Sequence, residues 1–477
     1  MFDRWTPGPA SSRGGEGAPT LACVPAPATS SATVVVVNWN GERWLRPCLD
    51  ALARQQTDRT YDTWVVDNAS TDGSLALLER EYPGVRVLRN AENLGFAGGN
   101  NTALRQVTTP YAVLLNNDAT PEPDWLEQVL APFDAPGAAR LGAVTSKVVF
   151  APRFLPLQLL APSYVPGGAD RRELGVRLAS VVVDGEDVTS RVLWEQLTWG
   201  PEDDGADRWF WTRPAGQLLL PLPGSYDFRP DGPWEVTVRW AADRSKDVLL
   251  SWDGGAVRLP VTPQPTEQSF TVASSTPVDV VNNAGSVVLR AGYGADRGFQ
   301  DVDTGQFDSA AEVFALCGCA VALRTEAGRD VGWFDDDFFL YYEDTDLSWR
   351  LRAAGWDIRY EPSAVVRHVH AATSVEWSST KVFHTDRNRL LMLVKNATAG
   401  MAVREVGRYP LTTGSMALRT VRTAARAHRR PAVRPTLLRL RVLASFLRLL
   451  PSTLAKRSRA DRHVPRRELE RWLVDAR

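Results

Sequence analysis

Between Thr33 and Asp118 the chain repeats one unit: a short apolar run, a cluster of Asn, Asp, Gly and Ser, then leucines at helical spacing. Thr33 to Val37 runs into Asn38-Trp39-Asn40-Gly41 and then Leu45, Leu49 and Leu52. Thr63 to Val66 is followed by Asp67 to Ser74, then Leu75 and Leu78. Val85 to Leu88 precedes Asn93 to Asn101, and Tyr111 to Leu115 ends at Asn116-Asn117-Asp118, where Thr120-Pro121 predicts a helix start. This strand and helix alternation predicts an α/β fold with a mostly parallel, doubly wound sheet. Ligands of such sheets sit beyond the carboxyl ends of the strands, where the polar clusters fall.

After Phe150 the pattern changes to short alternating segments such as Ser180 to Val183, Trp234 to Val238, Val248 to Leu250 and Phe270 to Val272. Gly, Pro and Asp separate them, which predicts an antiparallel β-sandwich over 152–279. Its tryptophans (Trp194, Trp199, Trp209, Trp211, Trp234, Trp240, Trp252) read as core aromatics in preference to a platform for sugar rings. A mixed region resumes near Val280, with Phe314 to Leu323 as an apolar strand and a helix from about Thr345 that stops at Gly355. The expected division is a disordered lead over 1–32, two halves of the α/β domain over 33–151 and 280–400, the sandwich over 152–279 and a helical tail over 401–477.

Charge separates the tail from the rest. The chain of 477 residues has a net charge of −1, which gives no overall field for nucleic acid, and no nucleic-acid partner is expected. From Met401 to Arg477, however, 19 Lys and Arg face 5 Asp and Glu. Leucines from Leu437 to Leu450 interleave there with Arg434, Arg439, Arg441 and Arg448, a pattern suited either to an anionic bilayer surface or to packing on the chain's own domain. Cys23, Cys48, Cys317 and Cys319 form no disulfide framework and no CxxC pair, so they read as small packing residues in a reducing cytosol. No signal-peptide pattern and no apolar run long enough to span a bilayer is present, so a cytoplasmic protein, peripheral at most on the inner face of the plasma membrane, is expected.

Asn38, Asp67 and Asn68 offer short acceptors after the strands, and Gly98-Gly99 lets backbone approach a phosphate beside a helix N-terminus. Each alone reads equally as a turn or cap residue. A carboxylate such as Asp118 at a strand end can hold a hard divalent cation, because Mg²⁺ takes few protein ligands and fills its shell with substrate oxygens and water. His368 or His370 would complete a Mn²⁺-type site. Glu343 and Asp344 pair two carboxyls at a helix entrance, where one serves as general base and proximity raises a pKa, against the simpler reading of an N-cap.

Taken together, five stretches resemble the family 2 glycosyltransferases of GT-A fold, in particular a bacterial rhamnosyltransferase and galactofuranosyltransferase-like branch. They are VVVNWNGERWL from Val35, VVDNASTDGS from Val65, NLGFAGGNN from Asn93, LLNND from Leu114 and FFLYYEDTDLSWRLR from Phe338, in the family's order. The resemblance implies a GT-A, Rossmann-like sheet carrying an inserted β-sandwich and a C-terminal helical region. It implies inverting transfer of a sugar from a nucleoside diphosphate sugar to a hydroxyl of a glycan or lipid-linked acceptor. By position, Asp67 and Asn68 match the nucleobase contact, Asn38, Trp39 and Asn40 the loop beside the base, and Asn93, Gly95, Gly98 and Asn100 the loop near ribose and diphosphate. Asn116, Asn117 and Asp118 match the metal-binding motif, with only its last acid retained, so one carboxylate remains for Mg²⁺ or Mn²⁺. His368 matches the second metal ligand, Asp344 the catalytic base and Glu343 its neighbour. The block over 152–279 is longer than the family's usual connection. A different class of reading is a catalytically silent glycan-binding scaffold that works through that block.

Overall fold

A computed structural model describes residues 30–475 apart from 169, 194–196, 204–207, 224–231, 370–377, 427, 429 and 460–462. Residues 1–29 of the expected lead, Cys23, Trp194 and His370 therefore lie outside the described residues, whereas Ala32, expected in that lead, already belongs to the first strand.

The central sheet has ten strands: β1 (Ala32–Asn38), β2 (Tyr61–Asp67), β3 (Arg86–Arg89), β4 (Tyr111–Asn116), β5 (Ala119–Pro121), β6 (Leu141–Phe150), β7 (Val281–Asn283), β8 (Ala311–Glu312), β9 (Ala320–Arg324) and β10 (Asp357–His368). Their order is β8-β10-β6-β9-β4-β1-β2-β3, with β7 beside β6 and β5 beside β10. Val34, Val35 and Val36 of β1 are buried on both faces, as a strand inside an α/β sheet requires. Parallel register sets Asn38 beside Asp67 and Val37 beside Asn116, so the polar ends of β1, β2 and β4 form one edge. Because β1 is flanked by β2 on one side and β4 on the other, the crevice above it is the switch point where such sheets bind ligands.

Helices α1 (Glu42–Ala53), α2 (Ser74–Glu81), α3 (Gly95–Leu104), α4 (Trp125–Leu130), α5 (Thr325–Val331) and α6 (Glu343–Ala353) pack around the sheet. Then α7 (Ser379–Asn396), α8 (Ala399–Arg426) and α9 (Arg434–Arg459) follow, with α9 packed on α7 and α8. The mostly parallel sheet, the antiparallel sheets and the C-terminal helices are all present.

Three local expectations are corrected. Thr120-Pro121 starts no helix: both residues lie in β5, paired to β10, and α4 begins at Trp125. Of the apolar run from Phe314, only Ala320–Arg324 is strand, because Cys317 N–H turns aside to donate to Thr145 Oγ1 at 3.0 Å. Helix α6 begins at Glu343, after Tyr342 at φ 70°, with no side-chain cap, so Asp344 lies within the helix instead of capping it. Its end is as expected, with Gly355 in the left-handed region at φ 84°.

The block from Phe154 folds as two facing antiparallel sheets. One orders the strands Thr198–Asp203, Arg208–Thr212, Arg177–Val183, Trp234–Ala241 and Thr266–Val272, with Glu186–Asp187 beside the third. The other orders Ala215–Pro221, Phe154–Leu160, Lys246–Trp252 and Gly255–Val261. Their inner faces share one core, including Leu157, Leu218, Val236, Val238, Trp240 and Leu250. Trp209, Trp234 and Trp240 are buried, while Trp199 donates its indole N–H to Glu173 O and lies under Arg213 at 4.2 Å. The described tryptophans thus form core and edge packing. Phe154 pairs antiparallel with Val278, so the block leaves the end of β6 and returns beside it into β7.

Candidate active site

The carboxyl edge of β1, β2 and β4 gathers the predicted nucleotide residues. Asp67 is buried; Oδ2 accepts from Ser70 N–H at 3.1 Å, whereas Oδ1 is enclosed without a donor. A buried acceptor left in that state costs about 1–3 kcal/mol and is ready for a ligand N–H or O–H. Asn38 donates to Ser70 Oγ at 3.2 Å and accepts from Asn117 Nδ2 at 2.8 Å. Gly41 permits that pair, since a Cβ there would stand 2.2 Å from Asn117 Nδ2. Asn40, at φ 50°, accepts from Thr71 N–H at 2.7 Å and holds the loop so that Trp39 stands 45% exposed above the crevice.

The amides of the next loop are spent inside the fold. Asn68 donates to Gly95 O at 2.8 Å and Asn93 Oδ1 at 3.2 Å, and accepts from Asn90 Nδ2 at 2.8 Å. Asn93 Oδ1 also accepts from Gly95 N–H, and Asn100 donates to Phe96 O at 2.9 Å. These side chains shape the loop, so Gly95 and Gly98 at the start of α3 leave its backbone as the contacting part. Gly95 has φ 71°, and a Cβ there would lie 2.1 Å from Phe339 O, which accepts from Phe96 N–H at 2.8 Å. That contact locks the loop at the start of α3 to the segment before Glu343. Asn116 is half-buried at the end of β4, its N–H donating to Cys319 O.

Asp118 and His368 meet across β5 and β10. Asp118 Oδ1 is buried with no hydrogen-bond donor and lies 3.2 Å from His368 Nε2. On the other side of the ring, His368 Nδ1 is 3.1 Å from Asn282 Oδ1 in β7. An amide oxygen accepts only, so this contact places the ring proton on Nδ1 and turns the Nε2 lone pair toward the carboxylate. The pair would suit a divalent cation, which needs few protein ligands and takes its others from substrate oxygens and water. Among the described residues no group of three His, Cys, Asp or Glu side chains gathers.

The carboxylate pair opens α6. Asp344 Oδ1 accepts from Thr345 N–H at 2.6 Å and Thr345 Oγ1 at 3.1 Å, and Oδ2 faces Gly318 N–H at 3.4 Å. Burial raises its pKa against the Thr345 N–H, and the charge of Asp296 raises it further. Glu343 is buried with Oε2 unpartnered; burial first, then the charge of Asp344, push its pKa well up. Burial thus pushes both carboxyls toward their neutral forms, Glu343 more strongly than Asp344. Asp346, the third acid, is structural: it accepts from Lys395, Asn396 and Arg350, each at 2.8 Å, and pins α6 to α7.

Sequence reasoning missed the roles of five residues. Asn282 orients His368. Asp296 brings a third charge to the Asp344 side, held by Asn283 Nδ2 at 2.6 Å in the hairpin Ser286–Val288 with Gly294–Asp296. Tyr341 and Tyr342, at φ 67° and 70°, set the turn before Glu343, and Asn388 holds it by donating to Leu340 O and Tyr341 O at 2.9 and 2.7 Å. The turn-rich Asn282-Asn283-Ala284-Gly285 was the available signal for the first two.

Comparison with known proteins brackets the same region. The family model described as glycosyl transferase family 2 matches residues 33–160, and that described as glycosyl transferase family group 2 matches 274–381. The stretch between the matches is the sandwich. A pre-mycofactocin glycosyltransferase of Mycobacterium tuberculosis is 45% identical over 65 residues, 14% of each chain. An N-acetylglucosaminyl-diphospho-decaprenol L-rhamnosyltransferase of the same species is 40% identical over 83 residues, 15% of this chain and 27% of the relative. The matches thus span less than a third of these relatives' length. Among solved structures, a mannosyltransferase of Pyrobaculum calidifontis in complex with GDP-Man and Mn²⁺ aligns over 91% of this chain and 75% of its own, with 15% identity and a TM-score of 0.35. With its two family matches falling on the two halves of one α/β sheet and meeting at one crevice, the chain belongs to glycosyl transferase family 2.

Proposed function

We propose that this protein is an inverting glycosyltransferase that moves a sugar, rhamnose or another hexose, from a nucleoside diphosphate sugar to a hydroxyl of a cell-envelope glycan or lipid-linked saccharide. The observation that carries the reading is the buried pair Glu343 and Asp344 at the start of α6, with the Asp118 and His368 pair at the carboxyl edge of the same sheet. Asp67 accepts from the base or ribose, and the α3 backbone faces the diphosphate. Asp118 and His368 would hold Mg²⁺ or Mn²⁺, which offsets charge on the departing diphosphate when bound. Asp344 takes the proton of the acceptor hydroxyl while that oxygen bonds to the anomeric carbon and the bond from this carbon to the diphosphate breaks. Burial and the neighbouring Asp344 charge both disfavour a second negative charge on Glu343 beside that base.

The test is Asp344→Asn. Transfer should fall by at least about 100-fold, the ordinary worth of a positioned base, while the thermal shift given by the donor with Mn²⁺ persists. Unchanged turnover would refute the base assignment. A panel of nucleoside diphosphate sugars, read by thermal shift with and without Mn²⁺, names the donor. Burial of Trp209, Trp234 and Trp240 speaks against the scaffold reading, which would need exposed tryptophans on the sandwich.

A further inference from the structure

We propose that the outer faces of α8 and α9 form a docking surface for an anionic lipid bilayer, on which the protein lies without crossing it. Helix α9 buries Val442, Phe446 and Thr453 on one side. On the opposite side Leu437, Leu440, Leu447 and Leu454 recur at helical spacing and are 53, 49, 60 and 49% exposed. Arg434, Arg441 and Arg448, also exposed, follow at seven-residue intervals along the edge of that line. Helix α8 repeats the arrangement. It buries Tyr409 and Thr413, exposes Val403, Leu411, Leu418 and Val421, and borders them with exposed Arg408, Arg419 and Arg422.

A helix that only packs on its own domain places polar residues outward. Here both outer faces are apolar stripes edged by arginine, the composition of an interfacial helix. Charge selects the occupant. From Val406 to Arg459 the sequence has 13 Lys and Arg and no Asp or Glu. Cations on the inner side are partnered: Arg439 donates to Thr413 and lies over Tyr409, and Lys456 pairs with Asp335 and Asp337. Those on the outer side pair with no carboxylate among the described residues. A second copy of the chain would oppose like charges, whereas an anionic headgroup layer attracts each arginine. No described helix is long and apolar enough to cross a membrane, which leaves the surface as the place for both. This inference goes beyond the transferase reading and does not rest on it.

The experiment is flotation of the full chain with phosphatidylglycerol-containing vesicles and with pure phosphatidylcholine vesicles. Partition to the former, weakened by salt, is expected. The pairs Leu440→Asp with Leu447→Asp, and Arg441→Glu with Arg448→Glu, should each lower it by at least about tenfold. Leu160→Asp, at a 55% exposed site on the sandwich, should leave it unchanged. Circular dichroism and melting check the fold; should a pair fail to fold, the single Leu447→Asp variant carries the test. No flotation, equal partition to both vesicles, or binding indifferent to the variants would overturn the proposal. Self-association lost in the leucine variants, without vesicle binding, would assign the face to a second copy instead.

Discussion

Asn282 acts through an imidazole it does not share with substrate, so its role is separable from chemistry. Its oxygen fixes the His368 proton on Nδ1. Asn282→Leu should weaken Mn²⁺ binding in the presence of nucleoside diphosphate by about 10–100-fold, and Asn282→Asp, which still accepts that proton, should retain it. Free Mn²⁺ counted by electron paramagnetic resonance decides; equal affinity in the leucine variant would remove Asn282 from the site. Glu343 yields a second prediction with a definite sign. Its pKa is raised in the fold, so its stabilising contribution is complete below the unfolded value and is lost as pH rises through the folded one. Glu343→Gln mimics the neutral carboxyl and removes that loss. The melting temperature of the wild type should therefore drop relative to Glu343→Gln with increasing pH, and parallel curves would show that Glu343 is charged throughout. Asp344 must be ionised to act, and its pKa is also raised, so the acidic limb of kcat/KM should lie above the ordinary aspartate range and vanish in Asp344→Asn.

The segment Phe338 to Tyr342 holds the site's only consecutive left-handed tyrosines among the described residues, each such conformation costing about 1–3 kcal/mol. Asn388, fully buried, offsets this by bonding two of the segment's carbonyls. Asn388→Ala leaves both unpaired and should cost about 2–4 kcal/mol in denaturant unfolding, with a fall in kcat larger than any rise in KM because the carboxylates lose their aim. An unchanged kcat would mean that the turn is set by α6 alone. This segment also shows where sequence stops being informative. The strands of the first half were legible because each is a local apolar run closed by turn chemistry, and the same clusters marked Asn38, Asp67 and Asp118. The Thr120-Pro121 error has a nonlocal cause: β5 exists through pairing with Val366 to His368, far along the chain, and Pro121 lies in a short strand bordered by β10 on its described side. Cys317 to Cys319 is apolar enough for a strand, but its direction is set by Thr145 Oγ1 in another strand. Beyond the turn-rich Asn282 to Gly285 nothing local marks Asn282 and Asp296; their place at the site follows from the chain's return out of the sandwich.

At the scale of the molecule, the sandwich is joined to the transferase sheet through a narrow seam. Its inner residues form one cluster, and among the described residues Phe150, Phe154, Leu219 and Val280 form the cluster that mixes both sides. Arg367 bridges Glu122 and Asp279 beside it, tying β10 to the returning strand. The ends of the block are already paired, Phe154 N–H to Val278 O at 3.0 Å and the reverse at 2.9 Å, so a short turn can close them without moving β6 or β7. Replacing residues 157–275 by a Gly-containing turn should leave a cooperatively melting α/β core with its Asn282, Asp118 and His368 arrangement intact. Loss of Leu219 from the seam should cost about 2–5 kcal/mol, a penalty a domain of this size can absorb. Donor-dependent thermal stabilisation and slow hydrolysis of the nucleoside diphosphate sugar should persist, since every residue assigned to the donor lies outside the excised block. Transfer to acceptor is the discriminating readout: its selective loss makes the sandwich an acceptor-binding part, and its retention makes the sandwich dispensable to chemistry. Collapse of the core would instead show that the seam, narrow as it is, carries the fold of β6 and β7, and with them the orientation of His368.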